Sequence, residues 1–108
     1  GLLKFDNCAF EQNRAEQGVG GGISARLARE VDIQGSSFYN NFAGGPGGAI
    51  SAVGTVLSLL DVKFRNNSAV TAGGAVFVAT NSKSRIVDCM FSGNSVPGAN
   101  GGALFFDS

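Results

Sequence analysis

The stretch Phe64-Arg65-Asn66-Asn67-Ser68-Ala69-Val70-Thr71-Ala72-Gly73-Gly74-Ala75-Val76 decides the fold. It holds two signatures, F-x-x-N and G-G-A-V, and both return along the chain at one interval. F-x-x-N stands at Phe10–Asn13, Phe38–Asn41, Phe64–Asn67 and Phe91–Asn94, with Phe-to-Phe steps of 28, 26 and 27. The glycine signature stands at Gly20-Gly21-Gly22-Ile23, Gly47-Gly48-Ala49-Ile50, Gly73-Gly74-Ala75-Val76 and Gly101-Gly102-Ala103-Leu104. Its steps are 27, 26 and 28, counted on the last residue. Two independent motifs that share one period, inside the range of roughly 20–50 residues, imply a solenoid.

Working outward from these motifs, a third apolar column lies five residues before each Phe, at Phe5, Ile33, Leu59 and Ile86. Turn-forming residues follow it: Asp6-Asn7, Gln34-Gly35, Leu60-Asp61 and Val87-Asp88. A short strand then runs through Cys8, Ser36, Val62 and Cys89 into the Phe, two residues on and therefore on the same face. After the glycines, Ile23, Ile50, Val76 and Leu104, then Ala25, Ala52, Val78 and Phe106, are the inward residues of another strand. No segment sustains a helical i, i+3, i+4 pattern. Residues 25–33 come closest, and they align with strand columns of the other repeats.

Each repeat thus reads as three short strands. The expectation is an all-β fold, a right-handed parallel β-helix of about four coils of ~27 residues, with 1–108 one repeat domain. Successive coils would pair through the main chain at ~4.8 Å, and like side chains would stack into ladders. A single coil cannot bury its own apolar face, so stacking supplies the stability. The chain enters in a second strand and stops in a first strand without polar caps. It is therefore expected to be truncated at both ends, part of a longer array whose further coils are its first partners.

These geometric demands account for the conspicuous residues. The Asn column is expected to turn the chain in the left-handed conformation and to bond from coil to coil. The paired glycines answer either a positive φ or a lack of room for Cβ. No Lys-Ser/Thr follows them, so they do not form a phosphate-binding loop. Cys8 and Cys89 fall three coils apart, ~14 Å, too far for a disulfide, and read as buried thiols packing like small hydrophobes.

Composition narrows the function classes. Gly is 17 of 108 residues, and there is no collagen period. Eight basic and eight acidic residues cancel, which disfavours nucleic acid as a partner, and no run of apolar residues is long enough for a transmembrane helix. His is absent, which removes the commonest general base and a common metal ligand. Asp61 and Asp88 share a column on adjacent coils, where their carboxylates could approach to ~5 Å, a spacing that suits a glycosidase pair or Ca²⁺ ligands. Asn7 and Gly35 occupy the same column, so turn formation is the better account of it. Arg26, Arg29, Lys83 and Arg85 flank one turn without forming a continuous stripe. Thr55, Thr71 and Thr80 lie in different columns, unlike the regular rank an ice-binding face needs. No catalytic residue, cofactor or metal is expected. Asn66-Asn67-Ser68 satisfies the N-glycosylation sequon and overlaps the Asn column, which accounts for it without a sugar.

With tandem G-G-A-[I/V/L] and F-x-x-N motifs in hand, the chain resembles the polymorphic outer-membrane protein repeat family. Cys8 and Cys89 two residues before Phe, and Ala15, Ala43 and Ala69 two after Asn, add to the resemblance. Gly22 and Val96 depart from it. The resemblance implies a β-helical passenger of a secreted or autotransported protein at the cell surface, outer membrane or extracellular space. It implies adhesion to an extracellular or host-cell protein or glycan. The lack of His, the single pair Asp61 and Asp88, and the short loops between Asn and the glycines argue separately against an enzyme. The alternative is a fragment of a pectate-lyase-like, polysaccharide-active β-helix enzyme. Exposed turn residues Tyr39, Phe42, Arg65 and Arg14 are the candidate contacts.

Overall fold

The computed structural model describes residues 2–16, 20–26, 30–79, 83–96 and 102–107. All regular structure among them is β. The first coil runs through β1 (Leu2–Asp6), β2 (Ala9–Glu11), β3 (Arg14–Ala15) and β4 (Ile23–Arg26). The second runs through β5 (Glu30–Gln34), β6 (Ser37–Tyr39), β7 (Phe42–Ala43) and β8 (Ile50–Val53). The third contains β9 (Val56–Leu60), β10 (Lys63–Arg65), β11 (Ser68–Ala69) and β12 (Val76–Ala79). Then follow β13 (Lys83–Val87), β14 (Met90–Ser92) and β15 (Leu104–Asp107).

Four parallel sheets run along the axis, ordered β1-β5-β9-β13, β2-β6-β10-β14, β3-β7-β11 and β4-β8-β12-β15. Their register aligns the repeat. Phe5, Ile33, Leu59 and Ile86 are successive partners, as are Phe10, Phe38, Phe64 and Phe91. The described architecture is the expected parallel β-helix, with one correction: a coil has four strands, not three. The added strand follows each Asn and is only two residues long. In the last coil it is reduced to a single bridge, Ser68 to Ser95.

The interior is built from ladders. Val31, Ile33, Phe38, Ile50, Leu57, Leu59, Phe64 and Val76 are almost wholly buried. Phe10, Phe38, Phe64 and Phe91 stack with ring centroids 4.5, 5.0 and 4.9 Å apart and planes within 8° of parallel. The strand spacing of ~4.8 Å dictates this separation. Phe5 meets Phe10 edge-on at 5.6 Å.

In the Asn column Asn41 and Asn67 are buried, Asn94 is half-buried and Asn13 is exposed, and the column's role differs in part from the expectation. Asn13, Asn41, Asn67 and Asn94 do not take the positive φ. The residue before each does: Gln12 (56°), Asn40 (56°), Asn66 (54°) and Gly93 (66°). That shift lets the chain turn one residue earlier and leaves the second residue free to point inward. Each inward amide then bonds the next coil. The Nδ2 of Asn13, Asn41 and Asn67 donates to Oδ1 of Asn41, Asn67 and Asn94, at 2.9 Å in each case. Nδ2 of Asn41, Asn67 and Asn94 also donates to the carbonyl of Phe10, Phe38 and Phe64.

The paired glycines divide the two demands between them. Gly47 has φ 77°, whereas Gly48 has no space, because a Cβ there would overlap the carbonyl oxygens of Gly74 and Ser68. The following Ala49 is buried, and both its N–H and that of Ile50 donate to Ala75 O at 2.9 Å. Gly101, Arg29 and Thr80, and the side chains of Phe105 and Phe106, lie outside the described residues.

Candidate functional site

With the repeated residues turned inward, the chemistry available to a partner lies on the outer sheet faces. On β2-β6-β10-β14 the outward residues form two columns. One is Ala9, Ser37, Lys63, Met90, and the other is Glu11, Tyr39, Arg65, Ser92. Strand alternation produces this: Phe38 and Phe64 occupy the inward position between them, so their neighbours must face out. Tyr39 is half-buried, while Lys63, Arg65 and Met90 are exposed. Met90 is 62% exposed, unusual for so apolar a side chain.

Tyr39, Lys63, Phe64, Arg65, Met90 and Ser92 line a shallow depression of about 330 Å³. A second, of about 360 Å³, lies between Glu11, Tyr39, Asn40, Arg65 and Asn66. Tyr39 and Arg65 border both. An aromatic ring flanked on the adjacent coil by two cations, next to an exposed thioether, can take a partner with both polar and apolar groups.

The four residues singled out in the sequence fall into two pairs. Tyr39 and Arg65 are register partners. Arg14 and Phe42 are partners in β3 and β7, and the Arg14 guanidinium carbon lies 4.5 Å from the Phe42 ring centroid. Arg14 also bonds Glu16 at 2.9 Å. Lys63 and Met90 were not legible as contacts, although their place two residues before Arg65 and Ser92 carries the alternation that would have found them.

The other sequence candidates separate. Asp61 and Asp88 are exposed and hold positive φ, 54° and 53°, as do Asn7 and Gly35 in the same column. Among the described residues no hydrogen bond engages either carboxylate, and no group of three or more His, Cys, Asp or Glu is placed to hold a metal ion. A depression of about 420 Å³ at this corner is lined by Asp6, Asn7, Gln34, Gly35, Leu60 and Asp61.

Cys8 and Cys89 are free thiols, half-buried rather than fully buried. Each donates to a carbonyl two residues back, Asp6 O at 3.3 Å and Val87 O at 3.4 Å, as the Ser36 hydroxyl does to Gln34 O. Burial, and then the charges of Asp61 and Asp88, pushes the Cys89 thiol above its ordinary value. That shift favours the protonated thiol, the less nucleophilic form. Thr55 is buried and Thr71 exposed, so these two share no face. On the β1-β5-β9-β13 sheet Val56, Leu60 and Val87 are exposed outward.

A continuous stack of parallel coils with a small-residue turn, an amide ladder and an aromatic ladder defines a β-helix solenoid. The chain belongs to the right-handed β-helix region family, whose profile matches residues 3–108. It is similar to the metabotropic glutamate receptor-like protein R of Dictyostelium discoideum, with 28% identity over 120 residues. That match takes in 88% of this chain and 8% of the relative, so the chain spans less than a tenth of the relative's length. No solved structure matches.

Proposed function

We propose that the chain is a non-catalytic β-helical module of a cell-surface or secreted protein, and that it acts by presenting its outer sheet faces to an extracellular protein or glycan. The observation that carries this reading is the division of labour in each coil. In the central coils the repeated Phe38, Phe64, Asn41 and Asn67 and their apolar neighbours are buried in the interior, and the variable residues Tyr39, Lys63, Arg65 and Met90 gather outside on one face. The resemblance of the F-x-x-N and G-G-A-[I/V/L] repeats to polymorphic outer-membrane protein passengers supports the surface role. The receptor-like name of the Dictyostelium relative points to the same kind of setting. The turn requirement accounts for Asp61 and Asp88, which supports a module without an active site over a polysaccharide-cleaving enzyme.

The test is binding of the chain to arrayed extracellular glycans and matrix proteins, with a Tyr39→Ala/Arg65→Ala double variant alongside. Removal of central aromatic and Arg anchors commonly costs about tenfold or more in affinity. Equal binding by parent and variant would reject this face. Release of sugar products from a glycan by the parent, lost in Asp61→Asn/Asp88→Asn, would instead establish the enzyme.

A further inference from the structure

The sequon at residues 66–68 falls differently in the structure from the way it reads in the sequence. Of its two asparagines, the one in the interior ladder is Asn67. It is 0% exposed, and its Nδ2 is held by Phe38 O and Asn94 Oδ1 at 3.0 and 2.9 Å. The acceptor position of an N-x-S sequon is the first residue, Asn66. Asn66 is exposed at the outer turn, with φ 54°. Its main-chain N–H is satisfied by Ser92 O at 2.9 Å, and its side chain makes no hydrogen bond among the described residues. The ladder therefore explains Asn67 and leaves Asn66 unexplained beyond its tolerance of a left-handed φ.

We propose that Asn66 is an N-linked glycosylation site of this protein. The reaction joins the anomeric carbon of an oligosaccharide, carried on a lipid diphosphate in the secretory lumen, to Nδ2 of Asn66. The bond between sugar and diphosphate breaks, the lipid diphosphate leaves with the bonding pair, and Nδ2 gives up one proton. No oxidation or reduction occurs. Asn66 lies at the rim of the open depression it shares with Glu11, Tyr39, Asn40 and Arg65, so its side chain is on the solvent side of the coil. The interior ladder next to it is undisturbed, because Asn66 contributes no side-chain bond to it.

The repeat supplies its own comparison. The same turn recurs at Gln12-Asn13-Arg14, Asn40-Asn41-Phe42 and Gly93-Asn94-Ser95. Gln12 and Gly93 lack the acceptor amide of Asn. Asn40 has it, exposed and at φ 56°, but Phe42 stands where the hydroxyl residue is needed. Only the coil of β10 and β11 combines acceptor, exposure and hydroxyl. This inference requires export through a eukaryotic secretory pathway and does not depend on which partner the outer face binds.

The experiment is secretion of the chain from a eukaryotic cell line, with intact mass measured before and after peptide N-glycosidase. One N-glycan is expected, with release leaving Asp at residue 66. Asn66→Gln and Ser68→Ala should each abolish it. Gln12 already occupies the equivalent turn position, so the Asn66→Gln chain should fold, which circular dichroism of the secreted protein checks. Phe42→Thr should add a second glycan at Asn40. An unglycosylated parent, secreted beside a glycosylated control protein, would overturn the proposal. So would a glycan that persists in Asn66→Gln, and absence of the second glycan in Phe42→Thr would refute the role given to the turn.

Discussion

At the residue scale, one pair of neighbours carries most of what distinguishes this chain. Asn66 and Asn67 are chemically identical and adjacent, yet one is exposed in a left-handed turn and the other is completely buried. Asn67 makes two donor bonds and accepts two, from the N–H and the Nδ2 of Asn41. Replacing it with Leu keeps the branched skeleton, with bulkier ends, and leaves these partners without their bonds. Because buried groups that lose a partner cost about 1–3 kcal/mol each, Asn67→Leu is expected to lose at least about 2 kcal/mol in urea unfolding. Asn66→Leu should lose less, chiefly the strain of a left-handed φ, about 1–2 kcal/mol. Equal losses would argue against the ladder as a source of stability. Sequence reasoning found the amide column but assigned the turn to the wrong member of each pair. The positions Gln12 and Gly93 show why: the turn residue varies in type from coil to coil, while the inward Asn does not.

At the scale of the element, the sheet β2-β6-β10-β14 acts as a column of rings on the inside and a mixed surface outside. Phe64 is 1% exposed because Phe38 and Phe91 cover both of its faces, at 5.0 and 4.9 Å. Phe91 is half-buried, with Phe64 its one described stacking partner. Truncating a fully buried Phe to Ala costs about 3–5 kcal/mol, from lost transfer energy and the residual cavity. Phe64→Ala should fall in that range, and Phe91→Ala should cost about half as much. The measurement is the paired denaturation midpoints at unchanged m-value; equal shifts would show that the rings do not stabilise one another through the stack. The same element brings Tyr39, Lys63, Arg65 and Met90 together, from strands only three residues long. The Phe column fixes the phase of these short strands.

At the scale of the whole molecule, the fold is a one-dimensional stack in which each coil contacts its neighbours. Stability then approximates a sum of coil and interface contributions. Ser37 and Lys63 are register partners, so deleting residues 37–62 joins Ser36 to Lys63 and removes one coil without shifting phase. The shortened chain is expected to keep a β-type circular dichroism spectrum and to melt at a lower temperature. Deleting half as many residues from the same start would place inward residues against turns, and that chain should not fold. If both deletions behaved alike, the stacking account of stability would fail.

What the sequence by itself determined was the period, the all-β class and the inward columns. Those follow from local chemistry repeated in phase, since Phe, Ile, Leu and Val at fixed spacing have nowhere to go but a shared interior. The tertiary structure alone decided the two-residue strands β3, β7 and β11, which are too short to show any periodicity. It also decided which Asn of each pair enters the ladder, which glycine needs positive φ and which needs empty space, and which outward residues from separate coils meet around Tyr39. Each of these depends on the backbone of the next coil, about 27 residues away in sequence and ~4.8 Å away in space, and that proximity exists only once the coils have stacked.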